Sequence, residues 1–182
     1  MELTTTYVLS QVFVMINAAL LMTTYQLKTR KSILIVSFIA LIANGVAYAL
    51  LSAWSGLAMV FVAMMRNIIF MIDEKKNGKS EKITKRDIII LTILYVISII
   101  SAIYTYEGIL SMMSVLATML YTFSVWQKKI KIYKILGIII EMIWVIYNMY
   151  IFSIFGIIVK IFLLISAVIG VIREYKVKKK NK

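Results

Sequence analysis

Apolar residues in this chain come in seven long runs separated by short polar or charged links, with no sustained alternation of apolar and polar positions. The runs are Tyr7–Tyr25, Ser32–Leu51, Gly56–Ile72, Ile88–Tyr104, Ile109–Trp126, Tyr133–Ile151 and Ile154–Ile172. Each is near the roughly 20 residues that cross a hydrocarbon core as a helix. Isolated strands cannot satisfy their backbone in lipid, so seven transmembrane helices are predicted. The run Ile88–Tyr104 stands alone between two blocks of three. A three-crossing block ends on the opposite side of the membrane from its start, and one extra crossing makes a second block parallel to the first. The pattern predicts an all-α polytopic membrane protein in a 3+1+3 plan. Residues 1–72 form a first three-helix repeat, 73–108 a basic link plus linker helix, 109–173 a second repeat and 174–182 a basic tail. The first run follows Met1–Thr6, which holds Glu2 and no basic residue, so a retained helix is expected in place of a cleaved leader.

Charge sets the orientation. The links Gln26–Lys31, Asp73–Asp87 and Gln127–Lys134 and the tail after Ile172 hold 19 of the 21 Lys and Arg residues, and the alternate links hold none. By the positive-inside rule the basic side is cytoplasmic, with the N-terminus outside and the C-terminus in the cytoplasm. The formal charge of +13 is accounted for by topology and by contact with anionic membrane lipids, so no nucleic-acid partner is expected. The short links on the other side predict that the helices they join are antiparallel neighbours.

Composition narrows the chemistry. Hydrophobic residues make up 62% of the 182, more than a soluble domain of this size needs. Proline, cysteine and histidine are absent, which removes thiolate nucleophiles, imidazole bases and most metal sites, so no metal or other cofactor is expected. No nucleophile–base–oxyanion constellation is visible, and an enzyme is not expected.

A shift of one hundred residues superposes the two blocks: Lys28 falls on Lys128, Lys31 on Lys131 and Gly56 on Gly156. The shared register of links, charges and glycine indicates an internal repeat. At Tyr25-Gln26-Leu27-Lys28-Thr29-Arg30-Lys31-Ser32 the sequence resembles the signature of PQ-loop proteins, in which Pro-Gln precedes Lys-Ser; Trp126-Gln127-Lys128 is a fainter second copy. With the 3+1+3 plan this resembles the SWEET and PQ-loop transporter superfamily. A closer resemblance, to YgjV-like bacterial inner-membrane proteins, is carried by Tyr25-Gln26, Leu51 through Gly56, Arg66-Asn67-Ile68-Ile69-Phe70, Trp144 through Asn148, and Ser153 through Gly156 to Ser166 and Arg173. The resemblance implies a multi-pass protein of the bacterial cytoplasmic membrane with a SWEET-like pair of three-helix bundles around a central path. SWEET-type members hinge on a proline in the first helix of each repeat. Here Tyr25 and Trp126 occupy those positions, where each restores a backbone donor and removes the kink.

Three charges fall well inside the apolar runs: Arg66, Glu141 and Lys160. At ~1.5 Å per residue, Arg66 and Glu141 both lie about 15 Å from the outer surface, near the midplane. A lone charge there costs at least about 2.5–3.5 kcal/mol, so partners or a wet cavity are expected; Lys160, closer to the outer surface, either snorkels to it or joins Glu141 from the neighbouring helix. Glu141, Trp144 and Asn148 share one face of the sixth helix, as do Asn44 and Tyr48 on the second, where the shift places Asn44 on Trp144 and Tyr48 on Asn148. Amides beside aromatic platforms suit a small polar solute, and the surplus positive charge favours an anionic or zwitterionic one. The expected function is a SWEET-like transporter or facilitator with its site between the bundles, lined by Asn44, Tyr48, Arg66, Glu141, Trp144 and Asn148. The alternative is a non-transporting membrane scaffold or regulator in which the buried charges form a structural ion pair. Neither reading fixes the oligomeric state.

Overall fold

The structure is a computed structural model that describes residues 5–52, 54–77, 83–104, 109–150 and 154–180. Among these there are seven helices and no strand: α1 (Thr5–Thr24), α2 (Arg30–Leu50), α3 (Trp54–Asn77), α4 (Lys85–Tyr104), α5 (Ile109–Trp126), α6 (Ile130–Tyr150) and α7 (Ile154–Lys180). They coincide with the seven apolar runs. Of the described segments, Thr5–Thr24, Arg30–Leu50 and Gly156–Lys176 are long and apolar enough to cross a membrane. The links Thr105–Gly108 and Phe152–Ser153 and the middle of the basic link, 78–82, lie outside the described residues.

Two helices continue well past the C-terminal ends of their apolar runs. α3 continues to Asn77 and α7 to Lys180. Hydropathy marks where lipid-compatible side chains stop, whereas a helix stops where its backbone hydrogen bonding stops. Lys and Glu are good helix formers, and the lysines at both C-terminal ends suit the negative pole of the helix dipole.

The starts of α2 and α4 are capped by short polar side chains. Thr29, in an extended conformation, accepts the Ser32 N–H at 3.2 Å and starts α2. Ahead of α4, Thr84 and Asp87 cap each other: Asp87 Oδ2 accepts the Thr84 N–H at 2.7 Å and Thr84 Oγ1 accepts the Asp87 N–H at 3.3 Å. This is a capping box with Asp in place of the usual Glu.

The chain divides into two compact units, 1–78 and 79–182. In the first, α2 packs on both α1 and α3; in the second, α4 packs on α5, α5 on α6 and α6 on α7. The middle helix α2 turns a stripe of small residues inward, with Ser37, Ala40, Ala43, Gly45 and Ala47 all buried. A Cβ at Gly45 would sit 3.5 Å from Val60, so α2 and α3 already approach to van der Waals contact there. Small residues at a helix crossing are how helices gain contact in lipid, where burial of apolar surface gives no drive.

The radial pattern is the reverse of a soluble protein. Large apolar side chains such as Met15, Ile39, Phe61, Met65, Ile93, Ile103, Met142 and Phe162 are exposed on the helices. Ser10, Thr24, Ser37, Asn67, Ser98, Thr122 and Ser124 are buried. Buried hydroxyls satisfy themselves locally, Ser10 donating to Tyr7 O at 2.7 Å, Thr24 to Leu21 O at 2.6 Å and Ser98 to Leu94 O at 2.8 Å.

Candidate functional site

Within the second unit, α6 and α7 bring three of the sequence-predicted residues together. Lys160 Nζ lies 3.4 Å from Glu141 Oε2 and 5.2 Å from the centroid of the Trp144 ring. Glu141 and Trp144 stand at i and i+3 on α6 and so face α7 together. Tyr147 meets Trp144 edge to face, with ring centroids 5.3 Å apart at 79°. The ammonium is thus held between a carboxylate and an aromatic face, and the carboxylate is 6% exposed against 22% for the lysine. This leaves the cation as the more accessible member, with an aromatic wall beside it.

Asn148 belongs to the same face, but its amide turns back onto the helix and donates to Trp144 O at 2.7 Å. In the first unit, Asn44 and Tyr48 are half-buried one turn apart on α2. Arg66 is buried on α3. Beside it, Asn67 is fully buried and donates to Ser37 Oγ on α2 at 2.9 Å, and Ser37 in turn donates to Leu34 O at 3.1 Å. In the hundred-residue register, Ser37 and Asn67 fall on Gly137 and Ala167, both of them buried. The shift thus sets two small buried residues against the hydrogen-bonded pair of the first unit.

The Gln of the second turn has a structural task. Gln127 donates from Nε2 to Lys129 O at 2.8 Å, and its Oε1 accepts the Lys129 N–H at 2.8 Å. It thereby ties the end of α5 to the start of α6. Trp126 is buried, and its indole N–H donates to Asp87 O at 2.7 Å. Tyr25, at the end of α1, is also buried, and Gln26 forms the turn that follows, with its N–H bonded to Thr23 O at 2.9 Å.

Sequence reading missed the ion pairs at the basic ends. Arg30 donates to Glu74 Oε2 at 2.7 Å and lies 3.6 Å from Asp73, Lys134 donates to Glu174 at 3.0 Å, and Lys128 donates to Asp87 Oδ2 at 3.0 Å. All five carboxylates among the described residues have a basic partner within 4 Å. The signal was present in the scarcity of acids: against 21 basic residues there are only 8 Asp and Glu, so those at helix ends had many candidate partners. Burial pushes the Asp87 carboxyl up, but the Thr84 N–H and the Lys128 ammonium bound to it outweigh that and hold its pKa below the ordinary 3.8. Among the described residues no cluster of His, Cys, Asp or Glu could hold a metal ion.

A family model described as bacterial inner membrane protein, Imp-YgjV, matches residues 8–178. The chain belongs to the Imp-YgjV family. The match covers all seven helices apart from a few residues at the two ends, so the α6–α7 group and the ion-paired helix ends both lie inside the Imp-YgjV region. No curated protein and no solved structure matches this Imp-YgjV chain.

Proposed function

We propose that this Imp-YgjV protein is a multi-pass membrane protein that binds, and passes across the inner membrane, a small anionic or zwitterionic solute. The observation that carries the reading is the Lys160 ammonium lying between Glu141 and the Trp144 ring within an apolar helix pair. An ion pair kept in such a place is expensive as packing alone, because apolar residues of similar volume would serve at least as well. A solute carboxylate or phosphate can exchange for Glu141 on Lys160, and Trp144 offers a ring or sugar face a stacking surface. The SWEET-like 3+1+3 plan read from the sequence supplies the companion expectation, that Asn44, Tyr48 and Arg66 of the first repeat serve the same solute as Glu141, Trp144 and Asn148 of the second. That part rests on fold analogy.

The test is a thermal-shift screen of the detergent-purified protein against small anions, amino acids, sugars and nucleosides, followed by flux into liposomes for each hit. A ligand that raises Tm with saturation in the native protein, and fails to in Lys160→Met and Trp144→Ala, supports the reading. A hit that still shifts both variants would overturn the α6–α7 assignment.

A second reading has its own observation. The described carboxylates are all engaged in ion pairs inside one unit or the other, and the chain lacks the prolines used as hinges. Both suit a membrane scaffold or regulator that does not transport. Absence of any saturable ligand, together with loss of fold in the Lys160 variant, favours it.

A further inference from the structure

Two of the ion pairs occupy matching places. Glu174 stands one hundred positions after Glu74, each near the end of the last helix in its unit. Each accepts from a cation near the start of the preceding helix, Arg30 on α2 at 2.7 Å and Lys134 on α6 at 3.0 Å. The cations are not at equivalent positions, since Lys134 falls on Leu34, one turn farther along than Arg30. The same contact is thus reached by different residues. Each is backed by a cation over an aromatic ring: Arg30 lies 5.7 Å from the Phe70 centroid, and Lys131, on the same end of α6, lies 4.4 Å from that of Tyr175.

Their position in the hairpins gives them a task. α2 and α3 are joined by the short stretch 51–53, and α6 and α7 by 151–153, so covalent chain holds each pair together at one end. At the other end nothing covalent does. We infer that Arg30–Glu74 and Lys134–Glu174 are pins that close the open ends of the α2/α3 and α6/α7 hairpins, making each hairpin a rigid pair that moves as one body. The cations are the buried members of the pins: the Arg30 and Lys134 side chains are 7% and 3% exposed, against 19% and 26% for Glu74 and Glu174, so salt screens the pairs less than fully exposed ones. Helices without proline leave sharp bending within a hairpin costly, and pinned ends leave splaying costly too. The turns 25–29 and 127–129 connect each pinned hairpin to the helix before it. The inference is independent of what the protein binds.

Hydrogen exchange of the full chain in detergent or nanodiscs tests it, with the conservative variants Arg30→Gln and Glu174→Gln and the reversal Lys134→Glu with Glu174→Lys. The expected result for each single variant is exchange about tenfold or more faster at the amides near its own pin, with little change at the turn end of the same hairpin. The reversed pair is expected to return protection at the α6/α7 end. Unchanged exchange in the single variants, or a uniform rise along the whole hairpin, would overturn the inference, because the contact would then be idle or merely part of global stability. Failure of the reversed pair to restore protection, in a protein that still folds, would overturn it for α6/α7.

Discussion

Lys128 reaches across to Asp87, 41 positions earlier, and its Nζ lies 3.0 Å from Asp87 Oδ2. The same carboxylate caps α4 through Thr84, so one buried acid holds both the start of α4 and the turn between α5 and α6. Because the folded-state pKa of Asp87 is lowered, its contribution is complete above the unfolded value and drains away as pH falls through the folded one. Asp87→Asn is expected to lower Tm at pH 7. The gap from the native protein should narrow as the pH drops below about 4, and melting curves of both proteins over pH 3–7 check this.

Lys128 makes that contact from a left-handed backbone, φ 67°. Such a conformation costs a residue with a Cβ about 1–2 kcal/mol and glycine almost nothing. Lys128→Ala loses the ion pair and keeps the strain, whereas Lys128→Gly loses the ion pair and relieves it. The glycine variant is expected to be the more stable of the two by roughly 1 kcal/mol in chemical or thermal unfolding. The reverse order would mean that the turn is not held in this conformation.

The repeat in apolar runs made the helices legible, because seven lipid-compatible stretches leave a backbone few other ways to satisfy itself. The helix ends were less so: Asp73–Asn77 and Arg173–Lys180 are polar and still helical, and hydropathy cannot register that. Of the candidate site, the shared face of Glu141 and Trp144 followed from i, i+3 spacing, and an expected antiparallel neighbour made Lys160 a candidate for Glu141; its approach to the Trp144 ring had no signal in the spacing. The inward turn of Asn148 onto Trp144 O did not, since a side-chain rotamer leaves no trace in spacing. The pairings Arg30–Glu74 and Lys134–Glu174 depend on the relative rotation of two helices, which a pattern of apolar residues leaves free through several positions.

The Asn67–Ser37 bond crosses from α3 to α2 at a buried site, and Asn67 Oδ1 has no hydrogen-bond partner among the described residues. Ser37→Ala strands the amide and is expected to cost about 1–3 kcal/mol. Adding Asn67→Ala removes the stranded group and leaves two small residues there, as at the buried Gly137 and Ala167 one hundred positions on. The double variant should lose less than the sum of the singles, with a coupling of roughly 0.6–1.7 kcal/mol. Strict additivity in the cycle would show that the bond does not join the helices.

At α6–α7, removing one partner is expected to hurt more than removing both. Lys160→Met withdraws the ammonium 3.4 Å from the buried Glu141 carboxylate and is expected to cost up to about 3 kcal/mol. Lys160→Met with Glu141→Gln should recover most of that loss. If the double variant regains stability yet fails to respond to a ligand that stabilises the native protein, the pair serves binding. If the Lys160 variant is as stable as the native protein, Glu141 draws its support from elsewhere and the pair is incidental.

Orientation is the expectation on which the 3+1+3 plan turns, and the native absence of cysteine allows it to be tested with single introduced thiols. Lys75 lies near the end of α3 and Tyr104 ends α4, both exposed. Positive charge on the 73–87 link predicts that Lys75 is cytoplasmic, and a crossing by α4 then puts Tyr104 outside. A membrane-impermeant maleimide added to spheroplasts should label Tyr104→Cys and leave Lys75→Cys unlabelled until the membrane is permeabilised. The opposite pattern would invert the topology while keeping the crossing. Labelling of both from one side would mean that α4 does not span, and the second three-helix block would then be inverted relative to the first.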